Sequence, residues 1–180
     1  SNGNNVNIEN CLIKNAPQTN LAIVNVSDKT MNNNIKINNC EFVNSGQHNV
    51  RVISYNQGKK LGNSVEISNS IFQTVRYNDN NKEIRGKKVH LWYRAGLGSE
   101  NISLKINKCT FDNTGMIVST INANNLTIVN SVINNNIYIN SSKQYLNSKV
   151  LIENNIIKKS LKNSILTNLK TIDLKGNIVN

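Results

Sequence analysis

The stretch VNIENCLI at 6–13 returns six more times along the chain. The copies are IKINNCEF (35–42), VEISNSIF (65–72), LKINKCTF (104–111), LTIVNSVI (126–133), VLIENNII (150–157) and IDLKGNIV (172–179). The first and third positions are always Val, Ile or Leu, and the last is Ile, Phe or Val. That alternation is the period-two pattern of short strands with one buried face. The fifth position reads Asn10, Asn39, Asn69, Lys108, Asn130, Asn154 and Gly176. Asn and Gly tolerate left-handed backbone, so this column predicts a tight bend between two short strands. The sixth position holds Cys11, Cys40, Ser70, Cys109, Ser131, Asn155 and Asn177. Small or amide side chains there predict an inward ladder just past the bend, hydrogen-bonded along the stack.

Successive copies start 29, 30, 39, 22, 24 and 22 residues apart, which is a period near 22 with insertions in the first three intervals. Between copies lies a further strand-like run: LAIVNV (21–26), VRVISY (50–55), VHLWYR (89–94), GMIVST (115–120), NIYIN (136–140) and SILT (164–167). Each period therefore offers three strands. One such unit cannot bury its apolar face alone, whereas stacked units share a continuous core.

The seven copies and their Asn column resemble the right-handed parallel β-helix of the pectate-lyase type. The resemblance covers nearly the whole chain and implies an all-β, single-stranded solenoid of about seven coils with an Asn-ladder turn, folded as one domain over 1–180. In that family's terms, the repeat matches the second strand, the ladder turn and the third strand, and the intervening run matches the first strand. The fold serves lyases, hydrolases, epimerases, tailspikes and adhesins alike, so it does not by itself specify an activity. The opening SNG looks like a tag-cleavage remnant, and the absence of a capping helix at either end suggests a segment of a longer protein.

Composition narrows the partners. Asn fills 39 of 180 positions, and 21 Lys and Arg face 10 acids, for a net charge of +11. The excess favours anionic partners. No apolar run is long enough to span a bilayer. The three cysteines lack a zinc or CxxC spacing and read most simply as small core residues; no metal or cofactor is expected.

Two outward columns follow from the alternation. On the second strand, Asn7, Lys36, Glu66, Lys105, Thr127, Leu151 and Asp173 align, with Glu66 between two lysines. On the third strand, Leu12, Glu41, Ile71, Thr110, Val132, Ile156 and Ile178 align. Two readings of the latter stand side by side. It is either an exposed apolar stripe fit for a homo-oligomer or neighbouring domain, or a row that the bend rotates inward.

The window 48–94 is compositionally distinct. It holds every Arg (Arg51, Arg76, Arg85, Arg94), both histidines (His48, His90) and the only Trp, Trp92. Alternation places Val89, Leu91 and Tyr93 inward and His90, Trp92 and Arg94 outward. Counting back from the following repeats sets Arg51 beside His90, Ile53 beside Trp92 and Tyr55 beside Arg94. In proteins of this resemblance the first-strand face commonly forms the saccharide groove. Aromatic rings suit sugar faces and Arg suits carboxylate or sulfate, so Arg51, Tyr55, His90, Trp92 and Arg94 are the candidate carbohydrate-binding residues. The competing reading is burial of Trp92 beneath the 74–88 insertion.

The first-strand runs contain no Asp or Glu, whereas hydrolysis in this fold needs clustered carboxylates. No catalytic residue is assigned. The expectation is non-catalytic binding of an anionic polysaccharide by an extracellular, cell-surface or virion-associated protein. The alternatives are a metal-free lyase for a uronate-containing glycan, with His90 or a Tyr as base, and a structural shaft or oligomerisation module of an adhesin or phage tail protein. Nucleic acid is disfavoured, because no binding motif appears and aromatics are few.

Overall fold

A computed structural model of the protein describes residues 5–26, 32–55, 62–77, 88–95, 103–121, 125–141, 149–158, 165–167 and 172–180. Among them the alternating apolar runs become three parallel sheets. Sheet 1 stacks β1 (Asn5–Glu9), β4 (Asn32–Asn38), β7 (Gly62–Ser68), β10 (Ser103–Asn107), β13 (Asn125–Val129), β16 (Val150–Glu153) and β19 (Asp173–Lys175). Sheet 2 stacks β2 (Leu12–Lys14), β5 (Glu41–Ser45), β8 (Ile71–Val75), β11 (Thr110–Phe111), β14 (Val132–Ile133), β17 (Ile156–Ile157) and β20 (Ile178–Val179). Sheet 3 stacks β3 (Thr19–Val26), β6 (His48–Tyr55), β9 (Val89–Ala95), β12 (Met116–Ile121), β15 (Ile137–Ser141) and β18 (Ile165–Thr167). Every strand pairs with its counterpart one coil away, so the chain is a parallel β-helix of seven coils.

The repeat columns become spatial columns. Val6, Ile35, Val65, Leu104 and Leu126 are register partners in sheet 1. Phe42, Phe72 and Phe111 stack on one another at ring-centroid distances of 5.1 and 4.4 Å. All of these side chains except the exposed Val6 of the first coil line one continuous apolar core.

The bend works as its residue types predict. Asn10, Asn39, Asn69, Lys108, Asn130, Asn154 and Gly176 all have positive φ, between 49 and 59°. A Cβ on Gly176 would lie 2.2 Å from the Asn154 side-chain oxygen, so as placed that side chain lies over a bare glycine. The first six of these left-handed residues each send their amide to a carbonyl of the next coil, as in Asn39 to Ser68 at 3.1 Å and Asn130 to Glu153 at 3.1 Å.

One residue later the backbone has turned, and the amide meets a side chain instead. Cys40 donates to Ser70 Oγ at 3.1 Å and Cys109 to Ser131 Oγ at 3.1 Å. Ser131 donates to Asn155 Oδ1 at 2.9 Å, and Asn155 to Asn177 Oδ1 at 3.0 Å. The sixth position is thus inward and restricted to residues that can accept a hydrogen bond. The thiols stand in the same column: Cys109 and Cys40 face the backbone amides of Ser70 and Cys11. Burial pushes the Cys109 thiol up to about 11.

The third-strand column points outward. Leu12, Ile71, Ile156 and Ile178 are 56, 40, 38 and 58% exposed, which decides between its two readings.

Removing a sixth-position acceptor strands a buried amide, at a cost of about 1–3 kcal/mol. Ser131→Ala is expected to lower the unfolding free energy by that amount in urea titrations, and Ser131→Cys to lower it less. Equal losses in the two variants would show that the side chain does not serve as acceptor.

Candidate functional site

The 48–94 window divides between the two sides of sheet 3. On the inner side, Asn20, Asn49 and His90 each stand one residue before a register-matched apolar residue, Leu21, Val50 and Leu91. They form a directed chain across four coils. Ala16 donates its amide to Asn20 Oδ1 at 3.1 Å. Asn20 Nδ2 donates to Asn49 Oδ1 at 2.9 Å, which leaves Asn49 Nδ2 to donate to His90 Nδ1 at 2.9 Å. His90 Nε2–H then donates to Asp112 Oδ1 at 2.8 Å. The Asn side chains spend their second N–H on the Val43 and Gln73 carbonyls, at 2.9 and 3.0 Å.

Asp112 ends the chain at the surface. Its side chain is 29% exposed, whereas that of His90 is fully buried. The carboxylate also accepts the Thr114 amide at 2.7 Å and the Thr114 hydroxyl. Its other oxygen accepts the amide of Thr74 at 2.8 Å. Thr74 has φ 49°, a left-handed conformation costly for a β-branched residue. The next amide, Val75, donates to Thr114 Oγ1 at 3.1 Å. Side chains again supply acceptors where the backbone turns.

Burial raises an acid, but the His90 N–H, the Thr114 hydroxyl and the two amides outweigh it and hold the Asp112 carboxyl well below its ordinary 3.8. His90 has both ring nitrogens engaged and lies against Phe72 and Phe111, at centroid distances of 6.4 and 6.2 Å. A ring so held offers no nitrogen for taking a proton from a substrate. Gly115 makes room for it, since a Cβ there would sit 2.9 Å from the His90 amide nitrogen. Among the described residues no three His, Cys, Asp or Glu side chains gather as a metal site.

On the outer side, three expectations are corrected. First, His90 faces inward and Val89 outward, the reverse of simple alternation. Val89 pairs with Met116 and Leu91 with Ile117, so the strand carries a bulge at His90. Second, the register is shifted by two: Arg51 lies opposite Trp92, and Ile53 opposite Arg94. The connection from sheet 3 to sheet 1 is two residues longer after Ile53 than after Arg94, which offsets any count made from the following repeat. Third, Trp92 is on the outer side but only 2% exposed. It packs with Val89, Met116, Val118 and Tyr138 in a second apolar cluster. The His48 ring stacks on it at 5.2 Å, and the Arg51 guanidinium lies 4.8 Å from its centroid. Residues 78–87 of the insertion proposed as its cover lie outside the described residues. Arg51 and Arg94 are half-buried; Tyr55 pairs with Val26, and its side chain also lies outside the described residues. The structure therefore brings Arg51 and Trp92 together as scaffold contacts and sends His90 to the other side.

The accessible polar surface is the outer face of sheet 1. Asn5, Asn34, Ser64 and Ser103 form one column, linked by bonds from Asn34 Nδ2 to Asn5 Oδ1 at 3.2 Å and from Ser103 Oγ to Ser64 Oγ at 3.1 Å. Asn7, Lys36, Glu66 and Lys105 form the next, and Lys105 pairs with Glu66 at 2.9 Å. Between these columns runs a groove of about 350 Å³, lined by Asn5, Asn7, Asn34, Lys36, Ser64 and Glu66 with Ile35 at its floor.

No protein-family model, curated protein or solved structure matches the chain.

The sequence signalled only part of the inner chain: aligning the first-strand runs on their first apolar residue puts Asn20 and Asn49 in one column but sets Lys88, not His90, beside them. The Asp112-Asn113-Thr114 turn was visible as well, since Asp and Thr both favour local backbone bonds.

Because its folded pKa is depressed, Asp112 contributes stability above the ordinary carboxylate value of 3.8 and loses it as pH falls from there. Asp112→Asn is expected to cost about 2 kcal/mol at neutral pH. Its difference from wild type should shrink below about pH 4. Urea titrations across pH test this; a pH-independent difference would contradict it.

Proposed function

We propose that this β-helix is a non-catalytic module that binds an anionic polysaccharide, carried by an extracellular, cell-surface or virion-associated protein of pectate-lyase-like coil type. The observation that carries this reading is the sheet 1 groove, where an amide or hydroxyl side chain repeats in each coil (Asn5, Asn34, Ser64) beside Lys36. Strands repeat every 4.7–4.9 Å or so, a spacing close to one sugar ring per coil. Amides and hydroxyls match sugar hydroxyls in both donor and acceptor capacity. Lys36, solvent-exposed beside Asn7, supplies a partner for carboxylate or sulfate, and the net charge of +11 adds long-range attraction. Arg51, His90 and Trp92 then contribute by holding the neighbouring sheet in register rather than by stacking on sugar.

A specific observation also favours a second reading, self-association as a shaft. The third-strand column exposes Leu12, Ile71, Ile156 and Ile178, interrupted by Glu41 and Thr110, and runs apolar from the half-buried Val132 through Ile156 to Ile178, a row which a second copy of the chain would cover.

A glycan array spanning uronate-rich, sulfated and neutral polysaccharides separates these readings. Binding to acidic glycans that falls with salt and weakens roughly tenfold in Lys36→Ala is the expected result. Indifference to every acidic glycan would remove the binding reading. Release of unsaturated uronate would replace it with a lyase. Concentration-dependent sedimentation of the same preparation, weakened by Ile156→Lys, would support the shaft.

A further inference from the structure

The sixth-position ladder places two cysteines on adjacent coils. Cys11 and Cys40 occupy equivalent sites in the first and second coils, one residue past the left-handed Asn10 and Asn39. The coils are locked together on both sides of this pair. Asn10 donates to the Asn38 carbonyl at 3.1 Å, and Glu41 donates to the Cys11 carbonyl at 2.8 Å. Both thiols point to the same inner corner: Cys11 Sγ donates to the Glu9 carbonyl at 3.1 Å, and Cys40 Sγ to the Ile8 and Asn38 carbonyls at 3.5 and 3.3 Å. In-register neighbours one strand apart have Cα atoms about 4.8 Å from each other, inside the span of about 4.4–6.8 Å that a disulfide bridges.

Nowhere else in the column are two cysteines adjacent. Cys109 has Ser70 on one side and Ser131 on the other. The pair also sits where a cross-link has most to hold. In the first coil Val6 is 42% exposed and Ile8 is only half-buried, whereas the equivalent Ile35 and Ile37 of the second are 4 and 0% exposed.

We propose that Cys11 and Cys40 form an intramolecular disulfide when the protein meets a small-molecule disulfide such as oxidised glutathione, stapling the first coil to the second. Cys11 is partly exposed and Cys40 buried, so the order of events follows from access. The Cys11 thiolate attacks one sulfur of the oxidant, forming a mixed disulfide and releasing one thiolate. Cys40 loses its proton and attacks the Cys11 sulfur, and the second thiolate leaves. Two protein thiols are oxidised to one disulfide, and one oxidant disulfide is reduced to two thiols. The burial that raises the Cys40 thiol makes the second step the slow one. Closure draws the two Cβ atoms slightly together, to within about 4.5 Å, and the part-exposed first coil gives more readily than the interior.

The test is incubation of the folded chain with oxidised glutathione, followed by thiol counting, intact mass and peptide mapping. Free thiols should fall from the three of the reduced chain to one, with a peptide joining residues 11 and 40 and an unfolding midpoint that rises and reverses with reductant. Cys109→Ser should react identically. Cys40→Ser, which places in the column the residue Ser70 already occupies there, should stop at a stable glutathione adduct on Cys11. The proposal is overturned if all three thiols survive, if wild type stops at the Cys11 adduct, or if the cross-link joins two molecules.

Discussion

At every corner of this β-helix the backbone turns out of sheet 1 through a left-handed residue, and the next amide loses its carbonyl partner. An unsatisfied buried amide is costly, so each coil must furnish a side-chain acceptor at that point. Ser, Asn and Cys meet the requirement because they are small enough to lie inside the coil and carry a lone pair. The inward ladder from Cys40 to Asn177 is the result. The same need explains the most unusual local geometry, at Thr74 and Val75, where Asp112 and Thr114 of the next coil supply the missing acceptors.

This constraint accounts for the stretch VHLWYR. His90 joins the Asn20–Asn49 amide chain to Asp112, so it belongs to the interior. Trp92 lies on the opposite side of the sheet, beneath Arg51 and beside His48. Of the residues that look like a sugar-binding row in sequence, His90 therefore joins coils on the inner side and Arg51 packs on the buried Trp92. The outer face of sheet 1 is plainer: amide and hydroxyl side chains line up from coil to coil there, beside Lys36 and the Lys105–Glu66 pair.

The repeat made the fold legible. Its apolar alternation gave the strands, its Asn column gave the bends, and its sixth column gave the inner ladder, because each rests on a local rule that recurs in every coil. The Glu66–Lys105 pair was legible for the same reason. The site was less so. Alternation fails at a bulge, and His90 sits at one. A register counted through connections of unequal length slips, as it did by two residues at Arg51. Direction also does not determine exposure: Trp92 and Ile53 are on the outer side of sheet 3 and are still 2 and 3% exposed. No strand pattern encodes what packs over an outward face.

His48, Arg51 and the second apolar cluster hold Trp92, the only Trp, out of water. Fluorescence of Trp92 with iodide as quencher measures this directly, without interference from any other indole. A blue-shifted emission that iodide leaves nearly unchanged until the chain is unfolded is the predicted result. Emission characteristic of solvated indole, readily quenched by iodide in the folded protein, would contradict it and return Trp92 to the surface.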